Sequence, residues 1–127
     1  MIAGGTGITP IYQIIQYACE HEKDEEMPNL ILLFANRSED DILLEKNLKE
    51  YAEKNPKLKI YFSVDKSITA DWKGFVGFIN EEKVRESVPK DTSNTLFMSC
   101  GPPILSNIVE KIWMSNLKIP YNRIYRF

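Results

Sequence analysis

Two short segments carry the residue types and spacings that chemistry needs. Near the start, Gly4-Gly5-Thr6-Gly7-Ile8-Thr9-Pro10 lies between an apolar triplet and a helical pattern. Glycine lets backbone N–H groups come close to a ligand, because no Cβ intervenes. Thr9 is placed to cap the helix, and Pro10 to stand at its first position, where a missing N–H costs nothing. The helix start then offers N–H donors and a positive dipole end, which suits a phosphate. Thr6 adds a hydroxyl. The segment departs from the common dinucleotide fingerprint. Pro10 stands where the third glycine would fall, and Thr9-Pro10 replaces the Lys-Ser of a Walker loop. The plain alternative is a tight strand-to-helix turn with no ligand.

The second segment is Cys100-Gly101-Pro102-Pro103, which sets a thiol at a strand end and follows it with a stiff turn. A nucleophilic thiol needs an activating base. The single histidine, His21, is expected at the far end of the first helix, on the opposite edge of the sheet. Covalent catalysis by Cys100 is therefore disfavoured, and a buried, inert cysteine is the plain alternative.

The elements that must position these segments follow from the periodicity. Met1-Ile2-Ala3 reads as the tail of a strand. Residues 8 to about 22 place Ile11, Ile14, Ile15, Ala18 and Cys19 at helical spacing. Residues 30–35 form an unbroken apolar run, suited to a strand buried on both faces. Ser38, with Asp41 three residues on, resembles a capping box before a second helix carrying Leu44, Leu48, Tyr51 and Ala52. Asn55-Pro56 stops it. Residues 58–64 alternate as a third strand. A long connection, residues 65–79, carries Trp72, read as packing rather than as a wall of a ligand cleft. Asn80 opens a short helix that ends by Pro89. Residues 95–100 form a fourth strand, and a last helix begins near Ile104. Residues 120–127 supply a fifth strand. Charged residues at 23–26 and 45–50 read as solvated faces.

Strict alternation of strands and helices argues for one α/β domain. It should be Rossmann-like and three-layered, with a mostly parallel five-stranded sheet flanked by helices. In such sheets ligands bind beyond the carboxyl ends of the strands, and both segments fall there.

Composition narrows the class. The 127 residues carry 16 basic and 18 acidic side chains, a net of −2, which argues against nucleic acid as a partner. Hydrophobic residues at 43% are enough for one packed core. The two cysteines, Cys19 and Cys100, form no CxxC pair and fit a reducing compartment. One histidine rules out a His-rich metal site, and no metal is expected. No segment is long and apolar enough to span a membrane.

Together, the two segments resemble the pyridine-nucleotide half of the ferredoxin reductase superfamily. Residues 33–44 (LFANRSEDDILL), Gly77-Phe78-Ile79-Asn80-Glu81 and terminal Phe127 narrow the resemblance to the NADH–cytochrome b5 reductase family. It covers essentially the whole chain. The resemblance implies that Gly4, Gly5, Thr6, Gly7, Thr9 and Pro10 line the NADH pyrophosphate and nicotinamide site. Cys100, Gly101, Pro102 and Pro103 would sit by the nicotinamide. Cys100 and Thr6 would serve catalysis by orienting the ring for hydride transfer to FAD. Asp65 matches a family aspartate that favours NADH over NADPH. A carboxylate there can accept from the ribose 2′-OH and repel a 2′-phosphate. Arg37 and Lys66 soften that preference. Phe127 matches a C-terminal aromatic near the flavin–nicotinamide interface.

Family members carry an FAD-binding barrel ahead of this domain, and nothing in residues 1–127 supplies one. The chain is therefore expected to be a piece of a longer protein. Its partners would be its own FAD-binding domain and cytochrome b5 or a similar haem acceptor. The location would be cytoplasmic, with any membrane anchor in a preceding segment. A non-catalytic nucleotide-binding module, an NADPH-linked relative and a nitrate-reductase-type relative are the competing readings.

Overall fold

The computed structural model describes residues 1–127 except Glu22 and Asp24. The expected end of the first helix near residue 22, and part of the charged segment 23–26, fall on those two positions and lie outside the described residues.

The strands are β1 (Ile2–Gly4), β2 (Leu30–Asn36), β3 (Leu58–Val64), β4 (Phe75–Val76), β5 (Phe97–Cys100) and β6 (Ile124–Arg126). The helices are α1 (Ile8–His21), α2 (Glu45–Lys54), α3 (Glu81–Glu86) and α4 (Pro103–Lys111). The strands form one sheet in the order β4-β3-β2-β1-β5-β6, and every pairing is parallel. The sheet thus has six strands rather than five. The extra one, β4, pairs only Phe75 with Ser63 and Val76 with Val64. Two residues are too few to show a period, so nothing in the sequence pattern separates them from loop.

Helices cover both faces because successive side chains of each strand point opposite ways. Ala3, Leu32 and Phe34 pack with Ile11 and Ile15 of α1 and Leu48 of α2. Ile2 and Leu33 pack with Val84 of α3 and Val109 and Trp113 at the α4 end. Phe34, Ile11, Ile15 and Leu33 are fully buried. Truncating Phe34 to alanine would cost about 3–5 kcal/mol. Because every pairing is parallel, the carboxyl ends of all six strands lie at one rim.

Two local expectations are corrected. Helix α1 begins at Ile8, with the turn Gly5–Gly7 wound as a 3-10 segment before it. Thr9 is therefore inside the first turn rather than at the cap, and its hydroxyl donates to the Thr6 carbonyl at 3.0 Å. Pro10 also sits within that first turn, where no N–H is required of it. The Ser38–Asp41 motif does form, with the Ser38 N–H at 3.1 Å and its hydroxyl at 2.8 Å from the Asp41 carboxylate. It closes a single 3-10 turn, Glu39–Asp41, and not α2. Leu44, at φ 58° in the left-handed region, breaks the helical path between that turn and α2.

Candidate functional site

Strands β1 and β5 are neighbours, with Ile2 paired to Ser99 and Ala3 to Cys100. The turns that leave them are therefore forced together at one rim. Gly7 shows how closely. A Cβ built on it would lie 2.2 Å from the Cys100 carbonyl oxygen and 2.7 Å from the Gly101 nitrogen. Backbone sits on backbone there, and only glycine fits. Gly101 in turn lies against Gly4, whose nitrogen would be 3.1 Å from an added Cβ. Phe127 joins the same rim by donating its N–H to the Ser99 carbonyl at 3.0 Å. Thr6 is exposed and Cys100 is half-buried. Pro102 precedes α4 and Pro103 is its first residue, which places a second helix start beside the first.

Gly5 behaves differently from Gly7. Its φ of +52° is left-handed, and a Cβ there would meet nothing within 4 Å. The backbone is thus open on the side that Gly5 presents. Exposed backbone and an exposed hydroxyl at a helix start suit a diphosphate. A buried polar group at the same rim adds to the fit. Asn36, the last residue of β2, is 7% exposed, and neither amide atom has a hydrogen-bond partner. The sequence sets Asn36 at the head of the loop after the second strand, and nothing in its spacing gives it a role of its own.

Asp65 follows β3 on the other side of β2, and its N–H donates to the Asn36 carbonyl at 3.0 Å. It is half-buried and shares the carboxyl rim with both turns. Lys66 continues the ladder by donating to the Arg37 carbonyl at 3.3 Å. Two charged side chains then hold the connection that follows. The Glu39 carboxylate accepts from the Ile68 N–H at 3.1 and 3.0 Å, the Thr69 N–H at 3.1 Å, and the Ser67 and Thr69 hydroxyls at 2.9 Å each. Partial burial works against its charge, yet these hydrogen bonds prevail and bring its pKa down to about 2. The Lys83 ammonium donates to the Val76, Gly77 and Phe78 carbonyls at 2.7 Å each. Burial lowers the Lys83 pKa, while Asp65 and Glu82 act in the opposite direction. Neither clamp was visible in the sequence pattern.

Trp72 is half-buried and packs on the core beside β3, donating its indole N–H to the Phe75 carbonyl at 3.1 Å. His21 ends α1, stacks on Tyr17 at 4.8 Å, and is remote in the fold from the rim. A cavity of about 700 Å³ lined by Pro28, Leu30, Thr95 and Phe97 opens at the opposite rim, away from both turns. Among the described residues, no helix is long and apolar enough to cross a membrane.

Comparison with known proteins places this arrangement. A family model described as an oxidoreductase NAD-binding domain matches residues 1–111. An NADH nitrate reductase of Cucurbita maxima is 46% identical over 105 residues, covering 83% of this chain and 11% of that protein. An NAD(P)H nitrate reductase of Betula pendula is 41% identical over 122 residues, covering 96% of this chain and 13% of that protein. Among solved structures, the cytochrome b5 reductase domain of Ulva prolifera nitrate reductase superposes with a TM-score of 0.89 at 31% identity, over 100% of this chain and 47% of that one. The CS-b5R domains of human Ncb5or, in an NAD+ form, give 0.82 at 30% identity, over 99% of this chain and 35% of that one. The chain thus spans about a tenth of the curated relatives' length and under half of either structure.

Proposed function

Because the chain belongs to the oxidoreductase NAD-binding domain family, with the fold of the cytochrome b5 reductase domains, we propose that it is the NADH-binding half of a flavoprotein reductase. In this reading it works joined to an FAD-binding domain. Held in that domain, FAD would supply the chemistry that takes up the hydride of NADH and passes electrons singly to a b5-type haem. The observation that carries the reading is the backbone contact of Gly7 with Cys100 and Gly101. It holds a phosphate-suited helix start and a thiol-bearing turn at a fixed separation, as a molecule with a diphosphate and a reactive ring requires.

Each residue then has a physical task. The N–H groups at the Gly5–Gly7 turn, with Thr6, hold the diphosphate. Cys100 and Gly101 bound the place of the nicotinamide, and the Cys100 side chain limits its orientation. Pro102 and Pro103 stiffen that boundary. Asp65 accepts from the adenosine ribose 2′-OH and disfavours a phosphate there. Thr9 fixes the turn through Thr6, and Pro10 shapes the first helical turn. Phe127 stands at the flavin side. Ile104, Tyr125 and Phe127 are exposed and apolar near this rim, which suits cover by the flavin domain. The free thiols Cys19 and Cys100 fit a reducing, cytoplasmic setting.

The identities of 41–46% to nitrate reductases favour one specific second reading, in which the flavin domain serves such an enzyme. Cytochrome b5 and nitrate offered as alternative acceptors to the full-length protein separate the two. The reading itself is tested by stopped-flow reduction of FAD by NADH in the full-length protein. Thr6→Ala and Cys100→Ala should each slow that step by about tenfold to a hundredfold, the cost of a misplaced ring. Rates equal to the unaltered protein's would remove both assignments.

A further inference from the structure

We infer that Glu39 is a positioning residue for dinucleotide recognition, fixing the segment that carries Asp65 by acting as the anion of a built-in nest. This inference rests on the NADH reading above. The observation is that one carboxylate, on the turn after β2, takes two backbone N–H groups and two hydroxyls from residues 67–69, beyond β3. All three of those residues are exposed. Ile68 is 60% exposed, so packing holds these residues little, and backbone fixation costs about 1–2 kcal/mol per residue. Charge-assisted hydrogen bonds are the stronger kind and offset that cost here.

The consequence falls on Asp65. Its own N–H and that of Lys66 close the β2–β3 ladder on the Asn36 and Arg37 carbonyls, and the clamped residues 67–69 follow directly. With both sides held, the carboxylate is set before a ligand arrives. Without Glu39 the ladder still holds the backbone at Asp65 and Lys66, and the residues directly after them lose their anchor. A freed loop also leaves the Ile68 and Thr69 N–H groups and the two hydroxyls open, and such a concave donor set attracts anions. The 2′-phosphate that Asp65 opposes is an anion of the kind these donors accept. Glu39 thus serves selectivity in two ways: it holds the discriminating carboxylate still, and it occupies donors that would otherwise welcome the wrong dinucleotide.

The test is calorimetric titration of the full-length protein with NAD+ and NADP+, which bind without electron transfer. Glu39→Ala should weaken NAD+ by about tenfold, equal to about 1.4 kcal/mol, and weaken NADP+ less or strengthen it, so the NAD+ preference narrows. Glu39→Gln keeps the Oε1 that takes four of the five hydrogen bonds, and should fall between Glu39→Ala and the unaltered protein. It also keeps the test open if the alanine variant does not fold. Equal loss for both dinucleotides, or no change in either, overturns the inference. Asp65→Thr is measured alongside. If it leaves the preference unchanged, or if the unaltered protein does not bind NAD+, the NADH reading itself fails. If Asp65→Thr narrows the preference and the Glu39 variants do not, only the role of Glu39 is lost.

Discussion

The paired turns at 4–10 and 100–103 and the connection at 65–78 share one rim but are held by different means. The turns are fixed by backbone. Their parent strands are hydrogen-bonded neighbours, and Gly7 lets the two chains touch main chain to main chain. The connection has backbone bonds at its ends, at Asp65, Lys66 and β4, and relies on side chains besides, with Glu39 gathering the N–H groups of Ile68 and Thr69 and Lys83 gathering the carbonyls of Val76, Gly77 and Phe78. A backbone-held site changes little with solvent conditions. A charge-held one depends on ionisation and yields to single substitutions. On the proposed function, the rigid part would serve the diphosphate and the reacting ring, where misplacement is costly, and the softer part discrimination at the adenosine end.

The sharpest way to break this contrast is Gly7→Ala. The new Cβ would sit 2.2 Å from a carbonyl oxygen whose strand is locked in the sheet, so neither partner gives way easily. The variant should lose about 3 kcal/mol, the upper end for overpacking. A fall in the urea midpoint at unchanged slope measures it. An unaffected midpoint would mean that the turns are not mutually locked.

A smaller effect separates fit from function in the same turn. Gly5→Ala meets no atom within 4 Å and carries only the left-handed φ of +52°, a strain of about 1–2 kcal/mol. Its cost in stability should be the lesser of the two glycine changes. Yet its Cβ enters the open space assigned to the diphosphate, so its loss in NAD+ binding should be about tenfold or more. Binding left intact would move the diphosphate away from Gly5.

The contrast also explains what was legible beforehand. The turns announced themselves because backbone constraints demand particular residues: glycine at close approach, proline at helix starts. The apolar run of β2 and the alternation of β3 marked the sheet through side-chain burial. The clamps left no local mark. Glu39 lies in an acidic triplet that reads as a capped helix start, and its partners lie 28–30 residues away. Lys83 looks like one more surface lysine on a short helix. Strand β4 is defined by its pairing with β3, and two residues show no period. The two-residue displacement of the helix start was equally hidden: the 3-10 winding of Gly5–Gly7 leads into α1 at Ile8, where Gly7 lies against Cys100 of a distant strand.

The smallest expected effect isolates the charge in the Glu39 clamp. Its carboxyl is held at about 2, below the ordinary 4.5 of an unfolded chain. A depressed acid contributes stability that is fully present above its unfolded value and is lost as pH falls toward its folded one. The Glu39 contribution should therefore be complete at pH 5 and above and should decline between about 4.5 and 2. Glu39→Gln has no such proton to gain. Other carboxylates titrate in the same range in both proteins, so the difference between them is the quantity to follow. Urea midpoints of the two should be farthest apart above pH 5 and should converge on acidification. A gap that stays constant down to pH 2 would show that Glu39 holds the loop by shape alone. The connection would then be as insensitive to ionisation as the paired turns, and the distinction between the two regions would disappear.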